Sequence, residues 1–264
     1  MIAAAGGGVL TGWKVLVPRG GRWGSELAEM LSDAGADAAI VPLIAFEPPE
    51  DSAPLTAALA RLADGAYDWL VITSATSVEA LTRAEATVPA GTRVAVVGAH
   101  TADAVREAGF PVDFQPSGDH SAAGLVAEWV ADGGRALLPQ SQLADETLLE
   151  GLSAHGLEVD RVTAYQTVGV APDPRVAADV VAGRFDAIVL TAGSVAARVA
   201  DEFPDLPAST RLVAIGPRTA SEAEAAGLSI AAVADGRSGA SIVDALIALR
   251  LAVLPQDPLA GRSS

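Results

Sequence analysis

An internal repeat constrains the fold of this chain more than any other feature of its sequence. Residues 93–109 (RVAVVGAHTADAVREAG) recur as residues 211–227 (RLVAIGPRTASEAEAAG), so that corresponding residues are 118 positions apart. Each copy predicts a short apolar strand, a glycine turn and a helix that ends at a glycine. Repetition at a fixed distance is typical of a duplicated structural unit. The sequence therefore predicts two similar halves.

The similarity extends over most of the remaining chain. Residues 16–35 match residues 137–156, and residues 67–78 match residues 185–195. Strands such as WLVIT and AIVLT are continuously apolar, which is typical of parallel strands covered by helices on both faces. Their alternation with helical segments predicts an α/β fold with parallel sheets and about ten strands. Ser25 is the predicted N-cap of the first helix, and residues 112–114 are predicted to form a short strand.

Two proline-containing segments without helical periodicity interrupt this alternation. Residues 42–54 (PLIAFEPPEDSAP) and 163–174 (TAYQTVGVAPDP) are predicted to be extended crossovers, and they are candidate domain boundaries. The repeat alone also permits a simple division near residues 132–134. Residues 254–264 are rich in Pro, Gly and Ser, and we expect a disordered tail there.

Composition narrows the classes of function. The chain of 264 residues has no cysteine, which excludes disulfides, thiolate metal sites and a cysteine nucleophile. Its net charge of −16 argues against a nucleic-acid-binding protein, which would present a basic surface. No basic segment precedes an apolar one at the start, and no apolar run approaches the about 18 residues of a membrane-spanning helix. We therefore expect a soluble, cytoplasmic protein.

Four loops that follow apolar strands are candidate ligand sites. Ligands of parallel sheets bind beyond the carboxyl ends of the strands, and the free N–H groups at a helix start favour anions. The candidate binding residues in these loops are Ser74, Ser77, Gly98, Thr101, Thr191, Gly193, Ser194, Gly216, Arg218 and Thr219. For any single loop, a simple helix start is the better interpretation: Thr101 and Thr219 would be N-caps, and Glu222 would complete a capping box. Four similar loops together favour binding.

Familiar catalytic motifs are absent from the sequence. There is no Gly-x-x-x-x-Gly-Lys-Ser/Thr loop and no Gly-x-Gly-x-x-Gly after a strand, and the three histidines lack the spacing of metal ligands. No metal or cofactor is predicted. Of the two tyrosines, Tyr67 opens a strand and is predicted to pack in the core. Tyr165 lies in the second crossover, where it either packs or donates a proton, and packing is the simpler interpretation from the residues alone.

Seven short motifs, in this order over residues 13–249, resemble the uroporphyrinogen-III synthase family: VLVPR, DWLVITSATSV, VAVVG, LLP, VTAYQT, DAIVLTAGSV and VAIGPRTA. Each motif is short, but their order and repetition are specific. The resemblance implies two homologous flavodoxin-like α/β domains with parallel sheets, joined by a two-stranded linker. On this sequence it gives one domain from residues 1–43 and 171–264, a second from residues 48–163, and a linker from residues 44–47 and 164–170. It thereby decides against a division near residues 132–134.

The resemblance also implies an activity. Members of the family close the linear tetrapyrrole hydroxymethylbilane to uroporphyrinogen III, with loss of water and inversion of ring D through a spiro intermediate, and need no cofactor. Carried over residue by residue, Tyr165 would be the general acid for the departing hydroxyl, and Thr101 and Thr219 would contact the substrate. Ser74, Gly193 and Ser194 match ligand-contacting loop positions. Since the substrate carries eight carboxylates, we expect Arg19, Arg218 and Arg22 to make the binding region locally positive.

The implied partners are hydroxymethylbilane and hydroxymethylbilane synthase, which would hand the substrate over. Neither a nucleic acid nor a membrane is expected, and a monomer is expected because one chain supplies every candidate loop. Two alternatives are a non-catalytic tetrapyrrole-sensing or small-molecule-binding module of two domains and a periplasmic-type solute-binding protein. The presence of Thr101, Tyr165 and Thr219 favours the enzyme over the module, and the lack of a recognisable signal peptide disfavours the solute-binding protein.

Overall fold

The computed structural model describes residues 8–236 and 238–253, and it contains two five-stranded sheets flanked by helices. The strands are β1 (Lys14–Val17), β2 (Asp37–Ile40), β3 (Ile44–Glu47), β4 (Trp69–Ile72), β5 (Arg93–Val96), β6 (Gly134–Ser141), β7 (Leu157–Gly169), β8 (Ala187–Leu190), β9 (Arg211–Ala214) and β10 (Ile230–Val233). The helices are α1 (Gly21–Asp33), α2 (Ala53–Ala63), α3 (Ala75–Arg83), α4 (Ala99–Glu107), α5 (Ala122–Ala127), α6 (Thr147–Ala154), α7 (Pro174–Val181), α8 (Gly193–Glu202), α9 (Pro217–Ala225) and α10 (Gly239–Val253).

The described residues divide into two compact units. The first unit, which we call the discontinuous unit, runs to Ala45 and resumes at Gly169, and the second, the continuous unit, comprises Phe46–Val168. Both contain parallel strands connected by helices, so the predicted α/β fold with parallel sheets is confirmed. The predicted tail, residues 254–264, lies outside the described residues. Among the described residues, no helix combines the length and apolar character needed to span a membrane.

The sheet of the discontinuous unit has the strand order β10-β9-β8-β1-β2. The chain leaves β1 toward β2 on one side, whereas β8 is followed by β9 and β10 on the other. This is the flavodoxin-type order, and it reverses between β1 and β8. Ligands of such sheets bind at the carboxyl ends of the strands beside the reversal. Arg19 and Thr191, which follow β1 and β8, therefore lie at the edge where a ligand is expected.

The sheet of the continuous unit has the order β3-β7-β6-β4-β5. The registers of β4 with β5, β4 with β6 and β6 with β7 are all parallel, and the order reverses between β4 and β6. Ser74 follows β4, and Gln142 follows β6. The carboxyl edge of this sheet thus places those two residues at its reversal point.

Continuously buried strands explain the apolar runs in the sequence. All four residues of β4 and of β8 are buried. Successive β4 side chains alternate between two clusters: Leu70 and Ile72 pack in one, and Trp69 and Val71 in the other. Since a fully buried Leu, Ile or Val side chain stabilises a fold by about 1.5–3 kcal/mol, the two apolar faces hold helices on both sides of the strand.

The first helix begins earlier than the sequence predicts. Helix α1 starts at Gly21 with Gly20 as its N-cap, so the prediction that Ser25 caps it is wrong. A Cβ on Gly24 would come within 2.0 Å of the carbonyl oxygen of Arg19. Because glycine lacks that atom, the first turn of the helix can pack directly on the preceding loop. The helix therefore begins four residues before Ser25.

Residues 112–114 do not form the predicted strand. Phe114 makes only an isolated bridge to Ala95. The Asp113 carboxylate accepts a hydrogen bond from the Val94 N–H at 2.7 Å, and the Asp113 N–H donates to the Val94 carbonyl at 2.8 Å. A side chain therefore occupies one position of the ladder, and regular pairing stops there.

The two predicted crossovers contain more regular structure than expected. Residues 42–54 include the whole of β3. They also include the start of α2 at Ala53, and this helix accommodates Pro54 because the N–H that proline lacks is not required in the first helical turn. The first residues of the second crossover belong to β7, which extends from Leu157 to Gly169.

Candidate functional site

Three hydroxyl groups meet at the carboxyl edge of the sheet in the continuous unit. Ser74 is the N-cap of α3, and its Oγ accepts a hydrogen bond from the Ser77 N–H at 3.0 Å. The Oγ atoms of the two serines lie 3.0 Å apart, and the Tyr165 hydroxyl lies 3.4 Å from Ser74 Oγ. The structure therefore brings Tyr165, which was predicted in the second crossover, next to Ser74 and Ser77, which were predicted in a loop 88–91 positions earlier in the sequence.

A packed environment holds the Tyr165 ring. The residue is 9% exposed, and its ring meets the ring of Phe46 edge-on, with centroids 5.5 Å apart. Such an arrangement is favourable for aromatic pairs. The hydroxyl end of Tyr165 thus contacts a serine, while its ring is fixed by apolar packing.

The loop after β5 presents backbone rather than a capping side chain. The N-cap of α4 is Gly98, with φ −156° and ψ 170°, and no side chain caps this helix start. Thr101 lies inside the helix and is 7% exposed, so the interpretation of Thr101 as an N-cap is wrong. A Cβ on Gly98 would lie 3.4 Å from the Cβ of His120. His120 is therefore a neighbour of this loop, whereas the side chain of His100 is exposed.

The discontinuous unit repeats this arrangement after β9. Gly216 is the N-cap of α9 without a side-chain cap, and Thr219 is inside the helix and 7% exposed. The capping box predicted for Thr219 and Glu222 is therefore wrong. Glu222 instead accepts a hydrogen bond from Arg218 Nε at 2.9 Å. This contact joins two residues one helical turn apart on α9.

Thr191 directly follows β8 and precedes the start of α8 in the same unit. It is buried, and its hydroxyl oxygen has no hydrogen-bond partner among residues 8–236 and 238–253. Ala192 is the N-cap of α8, and Gly193 and Ser194 open the helix. A Cβ on Gly193 would come within 1.9 Å of the Glu222 carboxylate. The α8 start is thus in contact with an acidic side chain from α9.

The arginines predicted to attract carboxylates have partners of their own. Arg22 Nε donates to Glu26 at 2.7 Å, one turn along α1. The guanidinium of Arg19 lies 5.4 Å from the centre of the Trp23 ring. The ion pairs of Arg22 with Glu26 and of Arg218 with Glu222 offset part of the local positive charge, whereas the contact of Arg19 with the neutral Trp23 ring leaves its charge in place. The described residues contain no group of three His, Asp or Glu side chains placed to hold a metal ion.

A polar cluster that the sequence did not reveal lies elsewhere in the continuous unit. Arg61 and the Tyr67 hydroxyl both donate hydrogen bonds to the Asp160 carboxylate, and Arg61 Nε donates to the Tyr67 oxygen at 3.0 Å. Burial raises the pKa of Tyr67, and the bond to Asp160 adds to the increase. Burial also acts to raise the pKa of Asp160, but the bonds from Tyr67 and Arg61 outweigh it and hold that pKa below its ordinary value. Tyr67 therefore has a hydrogen-bonding role beyond packing.

A second carboxylate with a lowered pKa lies on the surface. Glu128 accepts hydrogen bonds from the Ser117 N–H, the Ser117 hydroxyl and the Gly118 N–H, at 2.8, 2.8 and 3.0 Å. These bonds lower the pKa of Glu128, led by the bond from the Ser117 backbone, since they favour its ionised form. The loop before α5 is thus held by the surface carboxylate of Glu128, which follows that helix.

Sequence reasoning missed the contacts of Gln142, His120 and Glu222 near the predicted residues. Gln142 bonds to the backbone of Tyr165 and Thr167, and no motif identifies such a contact. The available signal was only its position three residues after the LLP motif, in a segment that follows an apolar run.

Comparison with known proteins gives consistent matches over most of the chain. A family model described as uroporphyrinogen-III synthase HemD matches residues 25–244. The porphyrin biosynthesis protein HemD of Ruminiclostridium josui is 28% identical over 226 residues, which are 81% of this chain and 44% of that protein. The uroporphyrinogen-III synthase of Synechococcus elongatus is 32% identical over 168 residues, 60% of this chain and 62% of that protein. The chain thus matches about half of the length of these curated relatives.

Two crystal structures share the fold. A mutant uroporphyrinogen III synthase from Thermus thermophilus has a TM-score of 0.61 and 20% sequence identity, and the match covers 91% of this chain and 99% of that one. The uroporphyrinogen-III synthetase of Helicobacter pylori has a TM-score of 0.62 and 15% identity, covering 90% and 99%. At these identities the likeness concerns the α/β fold with parallel sheets.

Proposed function

Because the chain belongs to the uroporphyrinogen-III synthase family, we propose that it cyclises hydroxymethylbilane to uroporphyrinogen III. The reaction loses the hydroxymethyl oxygen as water, and the resulting cation is attacked by the substituted α-carbon of ring D. The spiro intermediate then fragments and closes again with ring D inverted. The match to the family model over residues 25–244 is the observation that carries this proposal.

In this proposal Tyr165 is the general acid that assists departure of the hydroxyl group. The support is geometric: its hydroxyl lies beside Ser74 at the carboxyl edge of a parallel sheet, and its ring is packed on Phe46. A phenol fixed by packing can hold its O–H in one direction without a large loss of side-chain entropy on binding. Ser74 and Ser77 would orient that hydroxyl and contact the substrate.

The substrate carboxylates would be bound by the loops at helix starts. Gly98 and Gly216 both leave the first N–H groups of their helices without a side-chain cap, and such groups favour anions. Thr101 and Thr219 occupy the same position in the first turn of each helix. The further proposed contacts are Arg19, Thr191, Gly193, Ser194 and Arg218. No cofactor is part of the proposal.

We further propose that the two units are homologous, flavodoxin-like domains. Equivalent hydrogen bonds recur at the 118-residue spacing: Thr92 Oγ1 donates to the Tyr67 carbonyl at 2.7 Å, and Thr210 Oγ1 to the Phe185 carbonyl at 2.9 Å. Two aspartates also accept bonds of 2.8 Å from the first strand of each repeat, Asp68 from the Arg135 N–H and Asp186 from the Lys14 N–H. The recurrence of such specific contacts supports the proposal that the discontinuous and continuous units arose by duplication of one ancestral domain.

The proposed domain limits are residues 1–43 with 171–264, and residues 48–163, joined by a linker of residues 44–47 and 164–170. Support comes from the two elements at those places, since β3 spans Ile44–Glu47 and β7 extends to Gly169. Hand-over of substrate from hydroxymethylbilane synthase, a monomeric state and a cytoplasmic location complete the proposal.

The decisive experiment measures which isomer the protein forms. Hydroxymethylbilane is generated in the assay, the product is oxidised, and the uroporphyrin isomers are separated by chromatography. We expect the type III isomer with the wild type, because holding the substrate for spiro attack must compete with simple closure to type I. Type I product alone would contradict the proposal and favour a non-catalytic binding module.

Replacement of the proposed general acid tests the assignment of Tyr165. We expect Tyr165→Phe to lower kcat for type III formation by about 10²-fold or more, which is the usual contribution of general acid catalysis. Tyr67→Phe is the matched control, because it removes the other phenol without touching Ser74, and its kcat should stay within about twofold of wild type. Full activity of Tyr165→Phe would show that this residue is not the acid.

A further inference from the structure

The strand that carries Tyr165 is irregular at that residue. Strands β6 and β7 pair in parallel up to Gln140 and Thr163, but the next pair is Ser141 with Tyr165. One residue of β7, Ala164, is therefore extra and forms a bulge. Ala164 and Tyr165 are 2% and 9% exposed, so two successive side chains are buried where regular alternation would separate them. Bulges turn side chains in this way and interrupt the pairing beyond them.

Directly after the end of β6, the side chain of Gln142 forms hydrogen bonds to the backbone of β7. Its Oε1 accepts a hydrogen bond from the Thr167 N–H at 3.0 Å, and its Nε2 donates to the Thr167 carbonyl at 3.2 Å. Its backbone N–H donates to the Tyr165 carbonyl at 3.2 Å. The amide of Gln142 thus makes the two bonds to Thr167 that the backbone of a neighbouring strand would otherwise make.

A neighbouring hydroxyl fixes the orientation of this amide. Ser141 Oγ donates to Gln142 Oε1 at 3.0 Å and also accepts from the Leu143 N–H at 3.2 Å. The oxygen of the amide therefore faces two donors, Ser141 and the Thr167 N–H, and its nitrogen faces the Thr167 carbonyl. Only a group with one acceptor and one donor in this geometry satisfies both backbone positions of Thr167.

We propose that Gln142 is a positioning residue for Tyr165. It holds β7 immediately after the bulge, at Tyr165 itself and two residues beyond, and so keeps the Tyr165 hydroxyl next to Ser74. Without Gln142 the Thr167 N–H and carbonyl lose their partner on the β6 side of β7, and the strand that carries the Tyr165 side chain is held less firmly there. The proposal rests on the proposed function insofar as it concerns turnover, but the placement of the Tyr165 ring is measurable without substrate.

Two variants test the role of the amide in turnover. Gln142→Ala removes both bonds to Thr167, and Gln142→Glu keeps the acceptor but places an oxygen against the Thr167 carbonyl. We expect each to lower kcat for type III formation by about tenfold, consistent with the loss of one to two modest hydrogen bonds, and to leave KM within about twofold. Leu143→Ala, at the adjacent exposed residue, is the control and should match the wild type.

A spectroscopic measurement separates positioning from a general loss of stability. The chain has two tyrosines, so ring-labelled tyrosine gives NMR signals from Tyr67 and Tyr165 alone, and Tyr165→Phe assigns them. We expect the Tyr165 signal to shift or broaden in both Gln142 variants while the Tyr67 signal stays unchanged. Gln142→Glu provides the test if Gln142→Ala does not fold.

The outcomes distinguish this inference from the proposed function. An unchanged Tyr165 signal in the Gln142 variants overturns the positioning role, whatever happens to the rate. A shifted signal with an unchanged kcat overturns it as well, since the displacement then has no catalytic consequence. Full activity of Tyr165→Phe, by contrast, contradicts the proposed general acid, while the Tyr165 signal in the Gln142 variants still reports whether Gln142 holds the strand.

Discussion

Removal of the buried hydroxyl of Thr191 should affect substrate binding and protein stability in opposite directions. No residue in the described part of the chain accepts or donates a hydrogen bond at its Oγ1. Thr191→Val keeps the shape of the side chain and removes this unpaired group, so we expect a free energy of unfolding that is unchanged or higher by up to about 1 kcal/mol. If the hydroxyl contacts the substrate, kcat/KM falls by about three- to tenfold at the same time. Urea unfolding and steady-state kinetics measure the two quantities.

A gain in stability with lower kcat/KM is the signature of a group retained for binding. Thr210→Val is a suitable control, because the Thr210 hydroxyl is paired with the Phe185 carbonyl, and its removal should cost about 1 kcal/mol and leave the kinetics unaffected. Unchanged kinetics in Thr191→Val would remove Thr191 from the proposed site.

The Asp160 cluster predicts a dependence of stability on pH. The Asp160 carboxyl has a lowered pKa in the folded protein, because hydrogen bonds from Tyr67 and Arg61 outweigh the effect of burial. Its stabilising contribution is therefore fully present above the pKa of about 3.9 that aspartate has in an unfolded chain, and it is lost as the pH falls through the lower folded value. Asp160→Asn should destabilise the protein at pH 7 by about 1 kcal/mol, a modest value because the pair is partly exposed.

Urea unfolding of wild type and Asp160→Asn at pH 7, 5 and 3 measures this difference. We expect the difference between the two unfolding free energies to be the same at pH 7 and 5 and to narrow at pH 3, which lies below the unfolded-state pKa of about 3.9. Asp103→Asn is the control, since Asp103 forms an exposed pair with Arg106 on the surface of α4, for which no comparable cost is expected. A gap that stays constant down to pH 3 would show that Asp160 does not act through its charge.

The start of α1 depends on the absence of one side chain. A Cβ on Gly24 would lie 2.0 Å from the Arg19 carbonyl oxygen, and a backbone atom cannot move away as the end of a side chain can. We expect Gly24→Ala to destabilise the protein by about 2–3 kcal/mol through overpacking, despite the higher helix propensity of alanine. Gly91→Ala is the matched control, because no atom lies within 4 Å of the added Cβ, and it should change stability by less than about 0.5 kcal/mol. Thermal or urea unfolding measures both.

Sequence patterns predicted the elements of this fold better than their ends. The apolar runs of β4 and β8 are local signals, and they identify buried parallel strands without further information. The start of α1 depends on how closely Gly24 approaches a preceding loop, which only the packed structure shows. The same holds for residues 112–114, where the Asp113 side chain takes a position in the ladder.

In the candidate site, too, local features could be predicted from the sequence, whereas contacts between distant residues could not. The repeat located Gly98 and Gly216 correctly at helix starts, because glycine turns are visible in sequence. The contact of Tyr165 with Ser74 joins residues 91 positions apart, and the clamp of Gln142 on Thr167 depends on a bulge with no sequence signature. Such contacts arise from strand order and register rather than from a local pattern.

Net charge has a consequence for how this chain meets its proposed substrate. At pH 7 the chain carries a formal charge of −16, and hydroxymethylbilane is a polycarboxylate, so their long-range interaction is repulsive. Two of the arginines predicted to offset this, Arg22 and Arg218, are each paired with a glutamate one turn along their helix. The field that a distant substrate encounters should therefore remain negative.

Added salt should consequently increase the rate of productive encounter. Between about 10 mM and 150 mM ionic strength the screening length falls from about 30 Å to about 8 Å, so repulsion beyond contact distance is largely removed. We expect kcat/KM for hydroxymethylbilane to rise severalfold over this range while kcat, measured at saturating substrate, changes little. Sodium chloride and choline chloride should act alike, because the effect depends on ionic strength and not on a bound cation. A fall in kcat/KM with salt would mean that local cations such as Arg19 dominate the approach, and Arg19→Gln should then abolish the salt dependence, whereas under net repulsion it should strengthen it.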